Sequence, residues 1–508
     1  MTTNDSPNGS SRPAAHNGAA QNDATAVSSS HGAPTADPVD SRKGGIALLM
    51  GVLITAAVAF QLNASMLSPV LTTMAKELNT DEATVGLTQT AFFTGGALCG
   101  LFLPRLSDIV GRRKILLLML AVMALGGVIA ALAPNIEILL LARALQGIAG
   151  PTIPMTLIIL RSQVKNEVRL GTLLGLIAAI NGGVAGVDVL VSGWLAENFG
   201  YRSVFWLIAI IGTIAVAAVA LWAPESKPSS NVKMDWLGAV FLIISVCAIT
   251  LAVNEAGKAG QANWLYAGVG FLIALLMFAV FWTYEKKHDQ PLVAPKYLKR
   301  RQTWALLLTT VLTMTGVFAA VNGVAMSLAQ NTTAGFSMPA DHTAFFILAP
   351  YALLGLAVGP FAGRYAPVIG YRNLLLIGNL ASAALLLTLA FVGVNSKWVL
   401  IIAVILLGVT FAGIGNIVLN NLGVVNSPKD YEGFLPGMNS AAFNLGAGIS
   451  FAVLPVFMVA GSPEGSESTA GYTTAFIVGA VILGLSVLAA MLIPKTTTAE
   501  LDNALDTV

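Results

Sequence analysis

The chain has 508 residues, of which Asp, Glu, Lys and Arg make up 10% and apolar residues 56%, so it carries less than half the charge density of a water-soluble protein. A net charge of +2 excludes a strongly basic nucleic-acid-binding surface, and two cysteines, Cys99 and Cys247, both inside apolar runs, exclude a disulfide framework. This composition requires a lipid bilayer as partner and solvent, and the class expected is an all-α polytopic membrane protein.

Residues 1–43 are rich in Ser, Asn, Ala, Gly and Pro and lack the apolar segment of a cleaved leader, so a disordered cytoplasmic tail is expected there. Fourteen apolar runs follow, at 46–76, 84–104, 114–133, 136–160, 170–197, 203–223, 236–254, 264–284, 303–328, 343–362, 373–394, 397–422, 433–459 and 472–493. Each is about the 20 residues that cross a hydrocarbon core, which predicts 14 transmembrane helices. An even number puts both termini on one side. Of 27 Lys and Arg, only Lys76, Arg202, Lys258 and Lys397 then fall on the far side, and Arg143 falls within a run. The bias places both termini in the cytoplasm of a multi-pass protein of the cell (inner) membrane, expected to be monomeric. The densest basic stretches are Arg112-Arg113-Lys114, the segment with Arg161, Lys165 and Arg169, and residues 285–301, which read as a cytoplasmic linker. A second cytoplasmic tail is expected at 495–508. No catalytic, metal-binding or cofactor-binding pattern is present, and His16, His31, His288 and His342 all lie in the tail or in loops, so no enzyme is expected.

An internal repeat divides the chain. The loop Pro104-Arg-Leu-Ser-Asp-Ile-Val-Gly-Arg-Arg113 aligns with Gly363-Arg-Tyr-Ala-Pro-Val-Ile-Gly-Tyr-Arg372, matching Arg105 to Arg364, Gly111 to Gly370 and Arg113 to Arg372. Three helices further on, Asn181 in Ala178-Ala-Ile-Asn-Gly-Gly183 aligns with Asn444 in Ala441-Ala-Phe-Asn-Leu-Gly446. The offset predicts a six-helix bundle at 44–226, two inserted helices at 227–284, the linker at 285–301 and a second six-helix bundle at 302–494.

At these residues the chain resembles the major facilitator superfamily, and its helix count resembles that family's fourteen-helix drug:proton antiporter branch. The resemblance runs from residue 45 to about 495. The family's loop pattern G-x-L-a-D-r-x-G-r-k is matched by Pro104-Arg-Leu-Ser-Asp108-Ile-Val-Gly111-Arg112-Arg113-Lys114, with only the leading Gly lost. It implies a gating loop built on Asp108, Gly111, Arg112 and Arg113. The helix 4 pattern of Arg followed by Gln-Gly is Arg143-Ala-Leu-Gln146-Gly147, which implies a role for Arg143 in proton coupling or in fixing the cavity. Two patterns of the antiporter branch are altered. The helix 1 motif L-D-x-T is Leu62-Asn63-Ala64-Ser65, with an amide where the titratable acid would stand. The helix 5 motif that ends G-P-x-x-G-G aligns with Asp188-Val189-Leu190-Val191-Ser192-Gly193, without the Pro.

Asp188 is the one carboxylate well inside an apolar run and Arg143 the one base. A charge at such depth costs about 2.5–3.5 kcal/mol on insertion scales, which marks both as functional candidates. Their depths differ by only about 3 Å at the helical rise, so an ion pair is expected, with Asp188 either its permanent partner or the proton-coupling acid. Family geometry places a substrate cavity between the bundles, lined by Gln61, Asn63, Gln89, Asn181, Asn322, Tyr351, Asn416, Asn420 and Asn444. Paired donors and acceptors of this kind suit an uncharged polar solute such as a nucleoside or sugar. The function expected is therefore proton-coupled secondary transport by alternating access, leaning to symport uptake. Antiport efflux of drugs or metabolites is the alternative, and a non-transporting membrane sensor a more distant one.

Overall fold

The computed structural model describes residues 43–164, 167–226, 234–257, 262–288, 291–293, 295–427, 434–462 and 468–495. The expected tails lie outside these residues except at their innermost positions, as do Lys165, Lys258 and part of the linker. Among the described residues there is no strand. Thirteen helices are long and apolar enough to cross a membrane: α1 (Gly45–Glu77), α2 (Glu82–Val110), α3 (Arg112–Leu132), α4 (Ile136–Gln163), α6 (Tyr201–Trp222), α7 (Trp236–Ala256), α8 (Trp264–Glu285), α9 (Arg301–Gln330), α10 (Ala340–Ile369), α11 (Tyr371–Phe391), α12 (Lys397–Val425), α13 (Phe434–Ala460) and α14 (Thr469–Met491). With α5 (Glu167–Phe199), a 33-residue helix, they occupy the fourteen expected runs.

Side chains end these helices where the sequence offers them. Asp81, Asn135, Asn263 and Ser468 accept the free backbone N–H groups at the starts of α2, α4, α8 and α14. Gly111 and Gly370, matched by the repeat, both take positive φ (120° and 90°) at the corners joining α2 to α3 and α10 to α11. The repeat extends to contacts. Arg113 donates to the Ala220 carbonyl at the end of α6, and its mate Arg372 donates to the Ile493 carbonyl just past α14.

Helix pairings recur with an offset of eight. In the first half α1 packs on α5 and α6, α2 on α4, and α3 on α6; in the second α9 packs on α13 and α14, α10 on α12, and α11 on α14. The halves meet along two related seams, α2 with α13 and α5 with α10. Glycine makes the first seam close: Gly86 lies against the Phe451 carbonyl and Pro455, Gly96 against Asn444, and Gly448 against Thr90 and Thr94. Phe93, Phe318 and Phe451 fill it, with ring centroids 5.2–6.3 Å apart. The inserted α7 lies on both α2 and α13, and α8 packs on α7 with most of its apolar surface left to lipid.

Several runs that read as unbroken helices are bent. α1 turns through a 3-10 segment at Ser68–Val70, and α4 breaks at Gly147–Pro151. Wider π turns interrupt α9 at Ala320–Val324, α10 at Ala344–Leu348 and α12 at Gly408–Gly415, and such turns gather where a helix must present backbone or side chains to a site.

Candidate functional site

The break in α4 sets the position of Arg143. Gly147 and Gly150 bring α4 into backbone contact with α2: a Cβ at Gly150 would lie 2.3 Å from the Gly96 Cα, and one at Gly147 would lie 2.3 Å from the Phe92 carbonyl oxygen. One turn before that contact, Arg143 enters the first half fully buried. Its guanidinium donates to Asn63 Oδ1 on α1, to Gln89 Oε1 on α2 and, at 2.6 Å, to Gln146 Oε1 on its own helix. It also lies 4.2 Å from the centre of the Phe92 ring, whose face favours a cation. Three amide oxygens and a π face thus hold one charge, and each charge-assisted bond is worth about 1.5–3 kcal/mol.

Asp188 is held separately. Buried on α5, it accepts a short hydrogen bond from the Ser65 hydroxyl at Oδ2, while Oδ1 meets no protein donor. No ion pair joins it to Arg143, so the expected direct contact is not made in this conformation. The reason lies on α1, where Asn63 and Ser65 stand two residues apart and address different neighbours, Asn63 facing Arg143 and Ser65 facing Asp188. Ser65 also accepts from Gln61 Nε2 at 3.1 Å and lies 2.8 Å from the Gln61 carbonyl oxygen.

The remaining expected cavity residues do not form one cluster. Asn322, on the π turn of α9, accepts from Ser68 at 3.2 Å and donates to Phe318 O, tying the halves together near the end of α1. Gln330 donates to the Pro69 carbonyl at 2.9 Å, and the Ala340 amide to Glu197, joining the same end, remote from the start of α1 and the end of α14. Asn444 is buried against Gly96 in the α2–α13 seam. Tyr351 is half-buried, with its backbone beneath Gly408. Asn416 and Asn420 bond each other at 2.9 Å, and Asn420 is exposed. Asn181 lies on α5, but its side chain is outside the described residues. Two participants, Gln146 and Ser65, were missing from the expected site. Each lay within a quoted motif, Gln146 three residues after Arg143 and so on the same helix face.

The family model for the Major Facilitator Superfamily matches residues 53–253 and 236–451. The uridine/deoxyuridine transporter of Lactococcus lactis subsp. cremoris (strain MG1363) is 42% identical over 90% of this chain and 97% of its own length. The chain belongs to the major facilitator superfamily. Multidrug resistance protein 3 of Bacillus subtilis (strain 168) is 25% identical over 54% of this chain and 53% of its own. A crystal structure of a mutant form of the nucleoside transporter NupG shares the fold, with a TM-score of 0.58 at 14% identity over 88% of this chain and 99% of that one. The protein is thus a multi-pass membrane transporter of small molecules.

In this transporter the expected gating loop is tied down at several points. Asp108 and Arg112 pair at 3.1 Å across one helical turn. The Arg112 amide donates to Ser226 Oγ, Gly111 at its positive φ lies against the Glu225 carboxylate, and Arg113 holds the end of α6. The loop therefore fixes α3 to the chain that leaves the first half.

Proposed function

We propose that the protein takes up a pyrimidine nucleoside by proton symport, with Asp188 as the coupling carboxylate. The observation that carries the substrate class is the 42% identity to a uridine/deoxyuridine transporter along nearly the whole of both chains. The site chemistry agrees with it. A uracil nucleoside is neutral and presents paired donors and acceptors, and Gln61, Ser65 and Asn322 offer both from half-buried positions. A neutral substrate also leaves the charge of Asp188 to respond to a proton alone.

The coupling reading rests on the hydrogen-bond count around Ser65. Its hydroxyl has one hydrogen and two acceptors in reach, Asp188 Oδ2 and the Gln61 carbonyl. With Asp188 ionised, that hydrogen goes to the carboxylate. With Asp188 protonated, the acid donates to Ser65 instead, and the Ser65 hydrogen turns to Gln61. Ser65 thereby passes the protonation state of α5 to α1, on which Gln61 stands one turn away and Asn63 holds Arg143. In this reading Arg143 does not titrate but keeps α1, α2 and α4 in register, and Asp108, Gly111, Arg112 and Arg113 set the end of the first half that moves on gating.

Uptake of radiolabelled uridine into proteoliposomes tests the proposal. Accumulation driven by an inward proton gradient, and competed by deoxyuridine but not by sugars or cationic dyes, is expected. Accumulation of a dye in exchange for protons, with no uridine flux, would support the antiport reading instead.

A further inference from the structure

The inserted helices carry a pair of buried acids, away from Asp188. Asp235 stands just before α7 and Glu285 ends α8, and both are buried, at 2% and 1% exposure. Gly238 brings them together: a Cβ there would meet Asp235 Oδ2 at 2.2 Å and Glu285 Oε1 at 2.6 Å, and the two side chains are within hydrogen-bond reach of each other. Asp235 Oδ1 accepts the Gly238 amide at 2.9 Å, and Oδ2 meets no protein donor. Glu285 reaches onward, accepting the Leu292 amide at Oε1 and the Val293 amide at Oε2, at 3.1 and 3.4 Å. The preceding carbonyl, that of Pro291, accepts from Arg105 at the end of α2. The acid pair therefore clamps the linker to the inserted helices, and the linker in turn holds the α2 side of the α2–α13 seam.

We propose that Asp235 and Glu285 share one proton, forming a second proton site that latches the linker. The proton lies between Asp235 Oδ2 and Glu285 Oε1, leaving the pair one negative charge, which the Gly238, Leu292 and Val293 amides hold. Two ionised carboxylates at this distance and burial repel each other, so loss of the proton to water drives Glu285 away and releases Leu292 and Val293. The Tyr284 hydroxyl lies beside Asp235, and the basic side chains nearby are engaged elsewhere: Lys286 covers the Trp282 ring, Lys296 and Arg300 cover Tyr297, and His288 packs at a tilt against Tyr284. Among the described residues none of these basic groups forms an ion pair with either acid.

Hydrogen exchange at the Leu292 and Val293 amides, measured on the full chain in lipid and corrected for the intrinsic effect of pH, tests the latch without reference to transport. Exchange at least about tenfold faster at about pH 9 than at about pH 5 is expected. Asp235→Asn supplies a permanent donor to Glu285 Oε1 and should keep both amides protected at both pH values. Glu285→Ala removes their acceptor and should leave them exchanging fast at both. Exchange that does not respond to pH, or an Asp235→Asn protein that responds as the parent does, overturns the proposal. So does protection that follows sodium concentration at fixed pH, since a metal ion would then occupy the place of the proton.

Discussion

An Asp188→Asn transporter is expected to exchange nucleoside across a membrane but not to concentrate it. The amide keeps the shape of the carboxyl and can still accept from the Ser65 hydroxyl, so the packing of α5 on α1 survives. It cannot bind and release a proton. In a one-proton symporter each pH unit of gradient supports about a tenfold accumulation, equivalent to about 1.4 kcal/mol. In proteoliposomes bearing a pH gradient of about one unit, the accumulation ratio should therefore fall from about ten to about one. Counterflow, in which unlabelled nucleoside inside drives entry of label, needs no net proton movement and should persist. If Asp188→Asn still accumulates nucleoside against its gradient, the coupling acid lies elsewhere. If counterflow is lost as well, Asp188 serves the binding site or the fold rather than coupling.

The second large effect is expected at Arg143, and from a change that keeps its charge. The guanidinium reaches amide oxygens on three helices while its plane rests on Phe92. A lysine ammonium is one compact centre and cannot hold three diverging partners and a ring together. At about 1.5–3 kcal/mol for each charge-assisted bond, loss of one or two corresponds to more than tenfold in any equilibrium that depends on their geometry. Arg143→Lys should therefore lower the rate of nucleoside uptake by at least about tenfold. The amount of folded protein in the membrane, followed by fluorescence-detected size exclusion, should change far less. An Arg143→Lys protein that transports at more than half the parental rate would mean that the charge alone suffices and that the fork around Asn63, Gln89 and Gln146 is incidental.

Much of this architecture was legible in the sequence because the bilayer imposes a simple rule on it. A run of about 20 apolar residues has one stable fate in hydrocarbon, and the fourteen runs became fourteen helices. The repeat was equally legible, because a corner that needs positive φ needs glycine, and Gly111 and Gly370 mark the same corner twice. Depth along a helix could be counted, which is why Arg143 and Asp188 were expected at the same level. The direction in which a side chain points around its helix depends on crossing angles that one sequence does not show, so the expected ion pair resolved into two separate contacts with α1. The π turns in α9, α10 and α12 carry no marker that the apolar pattern reveals.

Polar residues in apolar runs were the hardest to sort. Asn379 and Asn439 bond within the second half, to Thr313 and Ser486 and to Thr310 and the Leu419 carbonyl. By type alone they are indistinguishable from Gln61 or Asn322. The linker held another unread signal. Leu292, Val293 and Tyr297 are apolar residues in a charged segment that reads as a linker, and all three are buried in an apolar cluster with Phe281 and Phe434.

The central claim is that nucleoside and proton cross together, and the most direct measurement is of the proton. Proteoliposomes loaded with a pH-sensitive dye, with no pH gradient imposed and a valinomycin-clamped membrane potential of zero, should acidify inside when uridine is added outside. The Asp188→Asn protein should give no acidification under the same conditions. Uridine entry without any proton movement, or internal alkalinisation as uridine enters, would contradict symport through Asp188.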